Sequence, residues 1–107
     1  MSESEIKALQ QELEDESEMC DTLKSIEELN ARHRAGYQRE LDALTKALSA
    51  LKSDDEDFAP KSERLADITE VQQRLEREQR DVQSKLRQCE QQKRELQQRI
   101  DDMSAAP

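Results

Sequence analysis

The stretch Ser53-Asp54-Asp55-Glu56-Asp57-Phe58-Ala59-Pro60 decides the fold of this sequence, because it interrupts two long runs of helical periodicity. Four consecutive acidic residues favour solvent, and proline fits the first turn of a helix but not its interior. The stretch therefore predicts an acidic turn over residues 53–60, with Asp57 or Ala59 near the cap of the next helix. Two long helices joined by a short turn become antiparallel neighbours.

Before this turn, apolar residues recur with the alternating three- and four-residue spacing of a heptad. Between Ile6 and Leu51, ten of the fourteen a and d positions are apolar or amphipathic. The run is weakest at Glu27, Asn30 and Arg34, and Gly36 follows at a c position. The pattern predicts a long acidic helix within residues 1–52, opened by a capping box of Ser2 and Glu5.

A second heptad run follows the turn, with a positions from Leu65 to Ile100 and d positions from Ile68 to Met103. It predicts a second long helix over residues 61–103, followed by a disordered tail over residues 104–107. Both helices are far longer than the mean of about 12 residues, and such lengths are typical of coiled coils. The expected fold class is all-α, with two long helices in an antiparallel coiled-coil hairpin.

The register of the hairpin follows from matching the two runs layer by layer. Placing Cys20 opposite Cys89 also sets apolar layers against apolar layers, Asn30 against Gln79 and Glu16 against Lys93. A shift by one heptad would leave polar groups in the seam without partners, which is costly. In the favoured register the flanking charges bring Glu12 near Arg99 and His33 near Glu78. The predicted seam residues are Leu9, Leu13, Cys20, Leu23, Leu41, Leu44, Leu65, Ile68, Leu86, Cys89, Leu96 and Ile100.

Apolar residues outside this seam indicate further burial. Met19, Ile26 and Leu29 lie on the first helix beside His33, and these four form the predicted partner-binding face. A two-helix seam with a polar middle is marginal by itself. We therefore expect self-association as a homodimer that forms a helical bundle, or binding to other coiled-coil subunits.

The composition excludes several classes of protein. The 107 residues include one Gly, one Phe, one Tyr and no Trp, too few turn and aromatic residues for a β-sandwich, a barrel or an α/β fold. The net charge is −9 and the whole acidic excess lies in residues 1–57, which argues against nucleic acid as a partner. The polar start and the absence of a long apolar run predict a cytoplasmic or nuclear protein without membrane insertion.

Few residues suggest chemistry. His33 lacks Cys or carboxylate neighbours at metal-ligand spacing, and the acidic turn lacks the alternating ligands and Gly of an EF-hand. We expect no metal, no cofactor and no catalytic residue. Cys20 and Cys89 are interpreted as small thiols of the seam, with an oxidisable intrachain crosslink as the alternative.

These features favour a non-enzymatic coiled-coil interaction module: a scaffold, a tether or a small subunit of a larger assembly. One alternative is a small helical-hairpin chaperone or folding cofactor, and another is a helical inhibitor of an enzyme. The stretch Leu51-Lys52-Ser53-Asp54-Asp55-Glu56-Asp57-Phe58 resembles the hairpin turn of the tubulin-binding cofactor A family. That resemblance implies a helical chaperone with a cytoskeletal client. The sequence Ala59-Pro60-Lys61-Ser62 departs from the family pattern, and the first helix begins further upstream, so no function is transferred.

Overall fold

The computed structural model describes residues 3–105, which form two helices joined by a loop. Helix α1 spans Glu3–Ser49 and helix α2 spans Phe58–Ala105. The described residues contain no strand. The two helices pack against each other in a hairpin, so the predicted all-α, antiparallel coiled-coil fold is confirmed. Ser2 of the predicted capping box lies outside the described residues.

Helix α1 ends at Ser49, a few residues before the predicted boundary at residue 52. The backbone N–H groups of Ala50 and Leu51 donate to carbonyl oxygens three residues earlier, at 3.2 and 3.1 Å. These hydrogen bonds span three residues, not the four of an α-helix, so the last turn is tighter than an α-helical turn and the α-helix ends here. They also give hydrogen-bond donors to the last carbonyl groups of the helix. The Ser49 hydroxyl also donates to the Lys46 carbonyl at 2.7 Å.

Helix α2 begins at Phe58, three residues before the predicted start at residue 61. The Lys61 N–H donates to the Asp57 carbonyl at 3.4 Å, which makes Asp57 the N-cap residue. Pro60 lies in the first turn, where its missing N–H removes no helical bond. At the other end α2 includes Ser104 and Ala105, assigned from the sequence to a disordered tail, because neither residue breaks a helix.

The chain divides into two compact units. We call residues 1–27 with 81–107 the terminal unit, and residues 28–80 the loop unit. Each unit contains a segment of both helices, packed side by side. Their interiors differ in chemistry.

The terminal unit has a seam of apolar and thiol side chains. Two clusters form it, and they contain the opposed pairs Leu9–Ile100 and Cys20–Cys89 that the predicted register requires. Full burial of one Leu or Ile side chain contributes about 1.5–3 kcal/mol, so these clusters dominate the unit's stability. Its buried members are Leu9, Cys20, Leu23, Val82, Cys89, Leu96 and Ile100. Leu13, Leu86 and Met103 pack against them and are half-buried.

The loop unit has a more polar interior. Its buried apolar residues are Ile68, at 1% exposure, and Leu75. Asn30 is a buried polar residue of this unit. The predicted seam residues Leu41, Leu44 and Leu65 are half-buried. This unit therefore has few hydrophobic contacts to offset the loss of chain entropy on folding.

Two glutamines of α2 complete the polar interior of the loop unit. The Gln72 amide donates to the Arg34 carbonyl at 3.2 Å and to the Gln38 side-chain oxygen at 3.4 Å. The side-chain oxygens of Gln72 and Gln79 are buried and accept no hydrogen bond from the described residues. A buried polar group without a partner costs about 1–3 kcal/mol.

Candidate functional site

Helix α1 carries the large apolar side chains that the hairpin leaves exposed. In the terminal unit, Met19 is 55% and Ile26 is 40% exposed, and in the loop unit Leu29 is 46% exposed. The described residues of α2 contribute no large apolar side chain of this kind. Of the two helices, α1 is thus the one with apolar area available to a partner.

A shallow depression lies on α1 in the loop unit, beside the predicted partner-binding residue His33. It is lined by Arg32, His33, Gly36, Tyr37 and Glu40. His33 itself is exposed. The depression exists because the helix has no side chain at position 36 between these longer residues.

Gly36 has no evident role within the chain. A Cβ atom added there would meet only the Nη2 atom of Arg39, at 4.0 Å, and the described residues include no glycine with a positive φ. Glycine in a helix interior costs about 1 kcal/mol relative to alanine. Neither a close contact nor the backbone conformation of this chain explains that cost.

The charges flanking the loop-unit seam form ion pairs that the heptad pattern did not specify. Glu78 pairs with Arg74 of its own helix at 3.9 Å, and no ion pair joins His33 to Glu78 among the described residues. The closeness of His33 to Glu78 stays a prediction. Glu40 instead accepts two hydrogen bonds from the Arg64 guanidinium, at 2.8 and 3.2 Å. These bonds, and then the positive charge of Arg64, lower the pKa of the Glu40 carboxyl. Long exposed side chains reach several partners, so the heptad pattern alone does not choose among them.

In the terminal unit the two cysteines lie in one buried cluster, both as free thiols. Cys20 is fully buried and Cys89 is 4% exposed. The Cys89 sulfur lies 3.2 Å from both the carbonyl oxygen and a carboxylate oxygen of Glu16, so its S–H donates to that residue. Burial first, and then the hydrogen bonds with Cys20 and Glu16, raise the pKa of the Cys89 thiol to about 12.

The predicted register places Glu16 opposite Lys93, but the hydrogen bonds of Glu16 are with other residues of α2. Its carboxylate accepts from Cys89. The Gln92 side-chain amide lies beside the same carboxylate and, with its nitrogen turned toward Glu16, donates to both oxygens at 3.0 and 3.1 Å. No ion pair between Glu16 and Lys93 occurs among the described residues. A lysine ammonium is strongly hydrated and sits on a flexible stem, so it gains little by leaving water for a single carboxylate.

This environment favours the seam interpretation of the thiols over ready oxidation. The thiolate is the reactive form of cysteine, and burial beside a carboxylate disfavours it. The intrachain crosslink stays a prediction. If oxidised protein shows no change in thiol count or in mobility on a non-reducing gel, the crosslink hypothesis fails.

Two further features of the described residues bear on function. Between residues 3 and 105, no group of three or more His, Cys, Asp or Glu side chains is arranged to hold a metal ion. Neither α1 nor α2 has an apolar segment long enough to cross a membrane.

Three features of the site were missed from the sequence: the hydrogen bonds of Glu16 with Cys89, the Glu40–Arg64 pair and the open space at Gly36. The heptad pattern places residues on a face, but it does not determine which long side chain bends toward which partner. Gly36 carried a signal, since an unexplained glycine inside a long helix suggests close approach by another backbone.

Known proteins offer no assignment for this arrangement. No protein-family model matches the chain, and comparisons with curated proteins and with solved structures give no match.

Proposed function

We propose that this chain is a non-enzymatic coiled-coil interaction module that acts as a scaffold, a tether or a small subunit of a larger assembly. One observation carries the proposal: Met19, Ile26 and Leu29 of α1 are exposed although the hairpin seam already uses the other large apolar residues of that helix. Apolar side chains at such spacings anchor one helix against another.

Charge supports protein partners for this module. Residues 3–27 of α1 carry nine carboxylates and two basic side chains, a net charge of −7. Residues 28–49 carry three carboxylates and four basic side chains, a net charge of +1. An acidic segment of this kind steers basic partner surfaces toward it and repels nucleic acid. A cytoplasmic or nuclear location belongs to the same proposal.

The test is recovery of binding partners on the immobilised full chain, with variants that place a charge on the proposed face. Ile26→Lys and Leu29→Lys are expected to abolish capture of a stable partner, because a lysine ammonium cannot be buried there without a counter-charge. Ala31→Lys is the matched control, since residue 31 is exposed and lies about 200° around the helix from residue 29.

The outcomes separate the candidate functions. A defined partner that is lost with Leu29→Lys and kept with Ala31→Lys supports the interaction module. Recovery of many unfolded proteins, or of a monomeric cytoskeletal protein, would support the chaperone alternative. Equal capture by all variants would refute a role for the α1 face.

A further inference from the structure

Two surfaces of α1 have complementary shapes. In the terminal unit Met19 and Ile26 are exposed and lie seven residues apart, which places them on the same side of the helix. We call them the large-residue surface. In the loop unit Gly36, exposed Ala43 and half-buried Ala47 share one side of the helix in the same way, and we call them the small-residue surface.

The small-residue surface leaves room that the chain itself does not use. A Cβ atom at Gly36 would have only the end of a flexible arginine within 4.0 Å. The neighbouring side chains line a depression at this position. A side chain from another helix can enter it, and helices approach closely where one of them presents small residues.

We propose that a second copy of this chain packs antiparallel along α1, with the large-residue surface of one copy on the small-residue surface of the other. In this register Ile26 packs against Gly36 of the second copy, and Met19 packs against Ala43 of the second copy. Leu29 faces His33 of the second copy at the centre of the contact. Because both surfaces belong to the continuous helix α1, each contact occurs twice, as a two-fold symmetric interface requires.

Charge favours this antiparallel arrangement over a parallel one. In this register residues 13–27, with a net charge of −5, lie against residues 35–49 of the second copy, which carry two basic and two acidic side chains. At its edge Glu18 comes near Lys46 of the second copy. In a parallel, in-register pair, residues 3–27, with a net charge of −7, would instead lie against the same residues of the second copy, and the two acidic segments would repel each other. Gly36 would face Gly36, which leaves the depression empty.

This pairing rests on the proposed function, because it uses the same exposed face of α1 and names its partner. The layer between Ile26 and Met19 is polar on both sides, with Thr22 near Glu40 of the second copy. Polar residues within an interhelical seam weaken it but fix its register.

The first test measures mass by sedimentation across micromolar concentrations, for the full chain and for Gly36→Gln. We expect a dimer for the parent chain and at least about a tenfold increase in dimer Kd for the variant, because a long side chain blocks the approach of Ile26. The same variant should raise the melting temperature of dilute monomer by about 4 °C, since glutamine favours helix more than glycine. Ala35→Gln, one position away and exposed, is the control that should leave the Kd unchanged.

The second test establishes the register with a short bis-maleimide. Ile26→Cys and Gly36→Cys chains are mixed, and the crosslinked peptides are mapped by mass spectrometry. The native thiols are buried and remain shielded. We expect crosslinks between residues 26 and 36 and none between two residues 26, which lie about 15 Å apart along the axis in this register.

Each result decides the inference. A monomer at all concentrations, a Kd that Gly36→Gln leaves unchanged, or crosslinks confined to residues 26 of both copies would overturn it. The proposed function is tested separately. If the chain is monomeric but Leu29→Lys abolishes capture of a different partner protein, the interaction module is supported and the proposed dimer is wrong.

Discussion

The terminal unit and the loop unit are built from the same two helices, yet they bury different side chains. The terminal unit buries seven apolar or thiol residues and the loop unit buries two, together with Asn30. The loop unit also contains two glutamine oxygens without hydrogen-bond partners. Hydrophobic burial is therefore concentrated in one unit, while polar groups that constrain pairing are concentrated in the other.

The difference indicates how one hairpin can combine stability with recognition. Segments with few buried apolar contacts open at lower free energy than well-packed ones. The loop unit, which also contains Gly36 and the depression beside His33, is expected to exchange its backbone amides faster than the terminal unit. Four measurements test this contrast between the two units.

The largest expected effect is at Ile68, the most buried apolar side chain of the loop unit. Ile68→Ala should lower the free energy of unfolding by about 3 kcal/mol, because the unit has only Leu75 as another buried apolar residue. Urea denaturation followed by circular dichroism measures this change. Leu29→Ala, an exposed residue of the same unit, should cost less than about 1 kcal/mol in dilute protein. Equal costs would mean that Ile68 does not form the core of this unit.

A smaller effect, of opposite sign, is expected at Gln79. Gln79→Leu removes a buried oxygen that has no partner and adds apolar contact, so the free energy of unfolding should rise by about 1–2 kcal/mol. Hydrogen exchange of the loop unit should slow accordingly. Gln73→Leu, at an exposed position on the same helix, should change little. Loss of stability in Gln79→Leu would show that the polar interior contributes favourably.

Alkaline pH should weaken the terminal unit through Cys89. Burial raises the pKa of this thiol to about 12 from its ordinary 9.0, so the unfolded chain releases the proton first as pH rises. The contribution is complete below pH 9 and is lost between pH 9 and 12, by about 1 kcal/mol at pH 10. Comparing the pH slopes of the parent and Cys89→Ala isolates this effect, since the variant lacks the thiol. Identical slopes would contradict the raised pKa.

The smallest expected effect concerns Glu40 on the loop-unit surface. Hydrogen bonds from Arg64 lower the pKa of the Glu40 carboxyl from its ordinary 4.5, so any stabilisation is present above that value and is lost as the pH falls through the lowered pKa. In an NMR titration of the parent chain, the Glu40 midpoint should lie below that in Arg64→Gln. An unchanged midpoint would show that the pair does not persist in solution.

The sequence predicts the hairpin well because the heptad period is a property of many residues together. Predicted opposed pairs such as Leu23 and Leu86 do pack together. The register is predictable because many side chains determine it together and no single one does. Helix boundaries are less predictable. Ser49 ends α1 because of local turn hydrogen bonds, and α2 begins three residues before residue 61, although its N-cap Asp57 is one that the sequence indicates. The hydrogen-bond partner of Glu16 depends on how the neighbouring side chains pack, which the heptad pattern does not determine.

The position of the loop, residues 50–57, also has a kinetic consequence. The Arg64–Glu40 contact joins residues 24 apart, whereas the Cys89–Glu16 contact joins residues 73 apart. Closing the longer segment costs about 1 kcal/mol more chain entropy if nothing else has formed. Folding should therefore start beside the loop and proceed toward the chain termini, so that the polar layers of the loop unit form before the apolar layers of the terminal unit. Substitutions near Ile68 should slow folding, and substitutions near Ile100 should mainly speed unfolding.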